Sequence, residues 1–238
     1  MPELVTHPTE PRDGERLPRI VAPPGVFHPR SDTWLLAALL GDQTRLAGSS
    51  VLDVCTGSGA IAVAAAMGGA AQVTAVDVSR RAVMTARLNA RLNGVRLRAL
   101  RGDLFAPVEG LRFDTIVSNP PYLPAEDDEL PTRGESRAWD AGRDGRALID
   151  RVADEAPPHL NPEGRLLLIQ SSVTGVPATI ARLEGAGFVD VDVIARRRGP
   201  LGPLLTARVQ ELERRGLLQP GEREEELVAI CARKGADG

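Results

Sequence analysis

The chain reads as one α/β fold: a seven-stranded, mostly parallel sheet with an antiparallel edge strand and helices on both faces. Three observations predict it. Short apolar runs of strand length alternate with segments of helical spacing, a pattern that calls for a parallel sheet covered on both sides. The first run passes through Gly57-Ser58-Gly59 straight into a helical segment, a tight strand-to-helix turn. The last two runs have no helix directly behind the first of them, so they pair antiparallel at one edge. A chain of 238 residues is long enough to bury one such core.

The elements follow in order. Residues 1–24 hold many prolines and charges with little periodicity and are expected to form a flexible N-terminal arm ahead of a domain over 25–238. A helix opens at residues 31–40, with Ser31 or Asp32 as its cap and leucines at helical spacing. Strands are expected at 50–55, 72–77, 96–101, 113–118, 164–170, 188–195 and 225–232. Helices are expected at 60–67, 79–92, 145–156 and 177–185. Between the last two strands, residues 196–221 form an insertion: Arg196-Arg197-Arg198, then an added helix over 204–217 with Gly-Pro flanks.

Composition narrows the function. A net charge of −3 and an aromatic content of 3% give no basic, aromatic-rich footprint for nucleic acid. Of 29 basic residues only Lys234 is a lysine, a coding bias. Cys55 and Cys231 stand apart without Cys-x-x-Cys spacing, so neither a metal site nor a disulfide framework is indicated. Met1-Pro2-Glu3-Leu4 lacks the basic-then-apolar pattern of a signal, and no run approaches the ~20 apolar residues a membrane span needs. A cytoplasmic setting is expected, with no membrane partner.

The chemistry sits at strand ends, where open α/β sheets place ligands. Asp53-Val54-Cys55-Thr56-Gly57-Ser58-Gly59 is strand, glycine turn and helix start; its glycines let a ligand approach backbone N–H groups at a helix N-terminus. Asp77 closes the next strand, 24 residues after Asp53, where a carboxylate can grip a ribose hydroxyl pair. The run Gly57 to Ala62 also fits a GxGxxA dinucleotide fingerprint, so a nicotinamide dehydrogenase competes with an S-adenosylmethionine-dependent methyltransferase. Three features favour the methyltransferase. Asp53 puts a carboxylate where an amino-acid ammonium would sit and a pyrophosphate would be repelled. Asp103, in Gly102-Asp103-Leu104 after the third strand, can receive an adenine amino group. The fourth strand runs into Asn119-Pro120-Pro121-Tyr122.

That tetrapeptide is a rigid turn: two prolines fix φ twice and remove two donors. It displays a side-chain amide, carbonyl groups without partners and the chain's single tyrosine. Acceptors for two protons beside an aromatic face suit a flat –NH2 group. Such a loop after a strand resembles the signature of methyltransferases that alkylate planar nitrogen, among them adenine-N6 DNA and RNA guanine enzymes.

With the segments on either side, the chain resembles the HemK family of protein-glutamine N5-methyltransferases, and most closely its short branch without the N-terminal helical domain. Phe27-His28-Pro29-Arg30-Ser31-Asp32-Thr33 is similar to the family's leading segment, and Ala138 to Arg146 is similar to its glycine-rich stretch. The likeness implies a Rossmann-like class I methyltransferase fold and S-adenosylmethionine as cofactor. It implies cofactor contacts at Phe27, Pro29, Thr33, Asp53, Thr56, Gly57, Gly59, Asp77, Val78, Asp103, Leu104 and Asn119, and acceptor contacts at Asn119, Pro120, Pro121, Tyr122 and Trp139. The catalytic group is Asn119, Pro120 and Tyr122: the Asn119 Oδ1 and the Pro120 carbonyl accept the target N–H groups, and the Tyr122 face stabilises the charge that develops. No histidine is nominated. His7, His28 and His159 are assigned to surface or packing, with His28 placed to edge the pocket.

The acceptor implied is a protein glutamine, in a release factor carrying a Gly-Gly-Gln loop. Relatives in the short branch also act on lysine or work with a small zinc-binding activator subunit. A small-molecule nitrogen is the first alternative, because the insertion over 196–221 could rebuild the entrance. Adenine-N6 methylation is disfavoured by the charge balance, and a non-catalytic adaptor by the intact glycine loop.

Overall fold

The computed structural model describes residues 4–5, 17–132 and 134–236. Its elements are β1 (Leu4–Val5), β2 (Ile20–Val21), α1 (Ser31–Gln43), β3 (Ser50–Val54), α2 (Ala60–Met67), β4 (Gln72–Asp77), α3 (Arg80–Leu92), β5 (Arg98–Arg101) and β6 (Phe113–Ser118). They continue with α4 (Ala147–Glu155), β7 (Leu160–Ser171), α5 (Val176–Gly185), β8 (Phe188–Pro200), α6 (Pro203–Thr206), α7 (Val209–Arg214) and β9 (Glu224–Lys234).

Seven strands form the main sheet in the order β5-β4-β3-β6-β7-β9-β8. Pairs from β5 to β7 are parallel, and β9 runs antiparallel to both β7 and β8. The strand β9 therefore enters between β7 and the edge strand β8. Adjacent residues of the central strands point to opposite faces, and both faces are apolar, as a doubly covered sheet requires. Leu52, Ile116 and Leu168 pack with α4 and α5 through Ile149, Val152 and Leu183. Val51, Val117 and Leu167 pack with α1, α2 and α3 through Leu36, Ile61 and Val83.

Most of the expected arm lies outside the described residues, and with it His7. The described part docks: Ile20 is buried, and α3 holds the backbone on either side of it. Asn93 accepts from the Arg19 N–H and donates to its carbonyl, while Asn89 does the same for Val21.

Four local differences from the sequence reading have physical causes. Arg196-Arg197-Arg198, expected to open the insertion, instead continue β8 to Pro200, because they pair with Glu226–Val228 of β9. The strand expected at 164–170 spans Leu160–Ser171, because it re-pairs with β6 across an irregularity between Phe113 and Thr115. The helix expected over 204–217 is two short helices, α6 and α7, which part at Ala207 and Arg208, where Arg208 leaves helical dihedrals and its N–H donates to the Leu205 carbonyl, three residues back. Neither Ser31 nor Asp32 caps α1. The N-cap is Arg30 without a side-chain hydrogen bond, and Asp32 lies buried in the first turn.

The strand order reverses between β3 and β6. Their carboxyl ends carry the glycine turn and the Asn-Pro-Pro-Tyr loop, so the fold brings both motifs to one crevice.

Candidate active site

A cavity of about 1020 Å³ opens over these strand ends. One half is walled by the leading segment, the glycine turn and the ends of β4 and β5; the other by Asn119 to Leu123, by Leu130 to Thr132 and residues between Gly134 and Asp140, and by the insertion. Phe27, Pro29, Thr33, Thr56, Gly57, Asp77, Val78, Asp103 and Leu104 line it, as do Asn119, Pro120, Pro121, Tyr122 and Trp139. Asp53 and Gly59 do not. Asp53 is fully buried behind the turn, and Gly59 is pressed so closely on α3 that a Cβ there would lie 2.7 Å from the Ala86 Cβ.

Asp53 holds the turn. Its Oδ2 accepts from the Thr56 hydroxyl (2.5 Å) and the Ala62 N–H (3.1 Å), while Oδ1 has no partner among the described residues. Burial pushes its pKa up to about 7, against the pull of the two hydrogen bonds. Asp77 closes the other side: Oδ2 accepts from the Gly57 N–H (2.9 Å) and Oδ1 from the Ser79 N–H (2.8 Å). Burial raises this carboxyl too, opposed by those N–H groups and by Arg137. Asp77 lines the cavity, and each of its oxygens keeps a second lone pair beyond the N–H it accepts. Asp103 is exposed at the rim, and Arg151 donates to both of its oxygens (3.2 and 3.0 Å). Cys55 sits at the head of the turn with φ +62°, a left-handed conformation costly for a residue with a side chain. Burial, then the Asp77 and Asp53 charges, raise its thiol pKa well above the usual value and keep it protonated.

On the acceptor side, the Asn119 Nδ2 donates to Asp32 Oδ2 (3.1 Å) and to Thr33 Oγ1 (3.3 Å). The amide is thereby turned one way, with Oδ1 accepting nothing among the described residues. The Tyr122 hydroxyl donates to the same Asp32 Oδ2 at 2.8 Å. Burial, then Asp32, then Glu225 raise the Tyr122 pKa well above that of a free phenol, with Arg30 opposing. The Pro120 carbonyl takes part in no backbone hydrogen bond among the described residues. His28 stands exposed on the cavity rim, and His159 stacks on Phe105 away from it.

Four residues of this site were not nominated from the sequence. Asp32 looked like a helix cap, and only its position in the first turn frees its carboxylate for the loop. Gly145 has φ +73°, and a Cβ there would lie 2.5 Å from the Tyr122 carbonyl oxygen, so the loop rests directly on this glycine. Arg208, between α6 and α7, donates to the Pro124 carbonyl (2.6 Å) and to Asp140 (2.7 Å). Glu225 of β9 accepts from the Gly202 N–H (2.9 Å) and the Ser171 hydroxyl (2.5 Å), which pins the insertion to the end of β7. The two loop walls are tied in turn: the Leu123 N–H donates to the Trp139 carbonyl at 2.7 Å.

Among the described residues, no helix is long and apolar enough to cross a membrane. The Methyltransferase small domain family model matches residues 18–132. A protein of Bordetella pertussis named release factor glutamine methyltransferase is 44% identical over 177 residues, which is 71% of this chain and 64% of that one. This chain thus spans less than two thirds of that relative. Among solved structures, the Thermus thermophilus 16S rRNA N2 G1207 methyltransferase, in complex with AdoMet and guanosine, superposes with a TM-score of 0.54. It is 21% identical and covers 90% of this chain and 47% of its own, a likeness of fold. A protein of Methanocaldococcus jannaschii, assigned by name as a protein N5-glutamine methyltransferase, is 38% identical over 189 residues, 79% of this chain and 93% of that one. With its class I methyltransferase sheet and its Asn-Pro-Pro-Tyr loop at the switch point, the chain belongs to the protein N5-glutamine methyltransferase family.

Proposed function

We propose that the protein methylates the side-chain amide nitrogen of a glutamine in a protein substrate, a release factor with a Gly-Gly-Gln loop, using S-adenosylmethionine. The observation that carries this reading is the fixed Asn119 amide. Its Nδ2 is committed to Asp32 and Thr33, so Oδ1 can only accept, and it does so beside the Pro120 carbonyl and the Tyr122 ring. Two acceptors and a ring face match a planar –NH2 group.

The residues of the other half fit the cofactor. Asp77 offers lone pairs for a ribose hydroxyl pair, and Phe27 flanks Gly57 closely enough that a Cβ there would lie 3.6 Å from the Phe27 Cβ. Asp53, with its Oδ1 unpaired one layer behind the turn, would shape the amino-acid end by holding the turn rather than by touching the cofactor. Asp103, Val78 and Leu104 would border the adenine, with Asp103 shared between the base and Arg151. Bound S-adenosylmethionine would supply an electrophilic methyl on a sulfonium sulfur, so that a nitrogen–carbon bond forms as the carbon–sulfur bond breaks.

An amide nitrogen is a poor nucleophile because its lone pair is delocalised into the carbonyl. Asn119 Oδ1 and the Pro120 carbonyl accept hydrogen bonds from its two N–H groups and hold the nitrogen so that the lone pair, not an N–H, faces the incoming methyl. As the nitrogen pyramidalises it gains positive charge, which the two oxygens and the Tyr122 face stabilise. Preorganised polar groups of this kind contribute about 3 kcal/mol each in the transition state. The proton leaves after transfer, when the nitrogen is acidic, so no strong general base is required.

The test uses purified protein, radiolabelled S-adenosylmethionine, a bacterial release factor and a deproteinised cell extract. Label on the release factor, lost when its Gly-Gly-Gln glutamine is changed, is the expected result. Label confined to small molecules would move the acceptor to a metabolite, and the release-factor reading would fall.

A further inference from the structure

We infer that Asp32 is a positioning and polarising residue for methyl transfer: one buried carboxylate supplies the negative charge that the neutral Asn-Pro-Pro-Tyr loop lacks. The inference deepens the reading above and rests on it. The loop's own acceptors, an amide and a carbonyl, carry no net charge, while the reacting nitrogen becomes cationic.

Behind them lies Asp32, 4% exposed. Oδ1 accepts from the Thr33 N–H (2.7 Å) and the Thr33 hydroxyl (3.3 Å); Oδ2 accepts from the Tyr122 hydroxyl (2.8 Å) and the Asn119 Nδ2 (3.1 Å). Four donors surround the carboxyl and it donates to none, the pattern of an ionised group.

Two consequences follow from hydrogen-bond chemistry. An amide whose N–H groups donate to an anion shifts electron density onto its oxygen, so Asn119 Oδ1 becomes a stronger acceptor. A phenol that donates to an anion has a more electron-rich ring, and its face attracts cationic charge more strongly. Asp32 also fixes which atom of Asn119 faces the cavity. With no anion behind it the amide could turn over and present Nδ2, a donor, to the substrate's own N–H groups. The residue sits on α1, 87 positions from Asn119 and 90 from Tyr122, and next to Thr33 on the cofactor side. It therefore joins the two halves of the cavity.

The experiment compares the wild-type protein with Asp32→Asn, Tyr122→Phe and the double variant. It reads kcat and KM for the release factor, and S-adenosylmethionine affinity by calorimetry. It also follows near-ultraviolet titration of the phenol, which is unambiguous because Tyr122 is the only tyrosine. Asp32→Asn should lower kcat by about 10²-fold, the size of effect seen for a single preorganised electrostatic group. Cofactor affinity should change less than about threefold, and Tyr122 should titrate at lower pH than in the wild type. Tyr122→Phe should lower kcat by several-fold, and the double variant should be little worse than Asp32→Asn alone, because both changes cut the same chain of hydrogen bonds.

An unchanged kcat, losses that multiply in the double variant, or an unmoved phenol titration would overturn the assignment. If Asp32→Asn does not fold, Tyr122→Phe decides alone: a kcat equal to the wild type would sink the idea. Titration and cofactor binding need no acceptor, so a wild-type protein that leaves the release factor unlabelled defeats the substrate reading without touching these two readouts.

Discussion

Replacing Asp53 with Asn should make the protein more resistant to rising pH. Asp53 is fully buried, and the two hydrogen bonds it accepts fall on Oδ2 alone. In Asp53→Asn the new Oδ1 can take over both bonds, and the amino group occupies the place of the unpaired oxygen. What disappears is a buried ionisation. The native carboxyl holds its proton until about pH 7, whereas the unfolded one releases it near 3.8. An acid whose folded pKa is raised contributes stability below the unfolded pKa and loses it as pH climbs through the folded one. Between pH 5 and pH 8 the loss amounts to about 3 kcal/mol, taking 1.36 kcal/mol per unit. In a domain of this size that is a difference of about 6–12 °C in melting temperature. The assay is urea unfolding of both proteins at pH 5, 6.5 and 8 without ligand. The wild type should lose ground steadily against the variant, since the other titrating groups largely cancel in the comparison. A gap that stays constant within about 0.5 kcal/mol over this range would show that Asp53 is not protonated in the fold, and the argument from burial would fail.

Three further outcomes follow from the geometry. Asn119→Ala should reduce kcat by about 10²- to 10³-fold with S-adenosylmethionine affinity nearly intact; calorimetry showing an equal loss of affinity would reassign the residue to the cofactor. Asp77→Ala removes a carboxylate that accepts from Gly57 and Ser79 and should weaken cofactor binding by about 10- to 100-fold while sparing the fold, so unaltered binding would break the ribose assignment. Arg208→Ala frees the Pro124 carbonyl and Asp140, costs about 1–2 kcal/mol of stability and should raise KM for a protein acceptor, with cofactor affinity as the unchanged control.

The sequence was most legible where chemistry is local. Glycines at 57 and 59 adopt positive φ, the prolines at 120 and 121 end β6, and alternating apolar runs place both motifs at strand ends. Such features need no knowledge of distant partners. What escaped depends on contacts across the chain. Asp32 meets Asn119 over 87 positions and Arg208 meets Pro124 over 84, and nothing in their neighbourhoods distinguishes them from a helix cap and a surface arginine. Asp53 shows the reverse: its place in the motif suggested direct contact with the cofactor's ammonium, but its side chain is buried behind the turn, outside the cavity wall. The split of 204–217 into α6 and α7 was equally hidden, since helical spacing does not reveal where the backbone tightens to an i+3 bond.

The placement of β9 has a consequence for the order in which the molecule can become active. The strands of the cofactor half, β3 to β6, lie within residues 50–118 and complete their pairing with one another inside that span. The acceptor half is different. Its wall hangs on Glu225, and among the described residues β8 joins the sheet through β9 alone, a strand that follows it in the chain. During synthesis β7 would wait for Leu227–Arg233 of β9 before its second edge is covered. A pocket able to grip the nucleoside could then exist before there is a site able to accept a methyl group, and completion of the final hairpin would be the event that turns a binder into a catalyst.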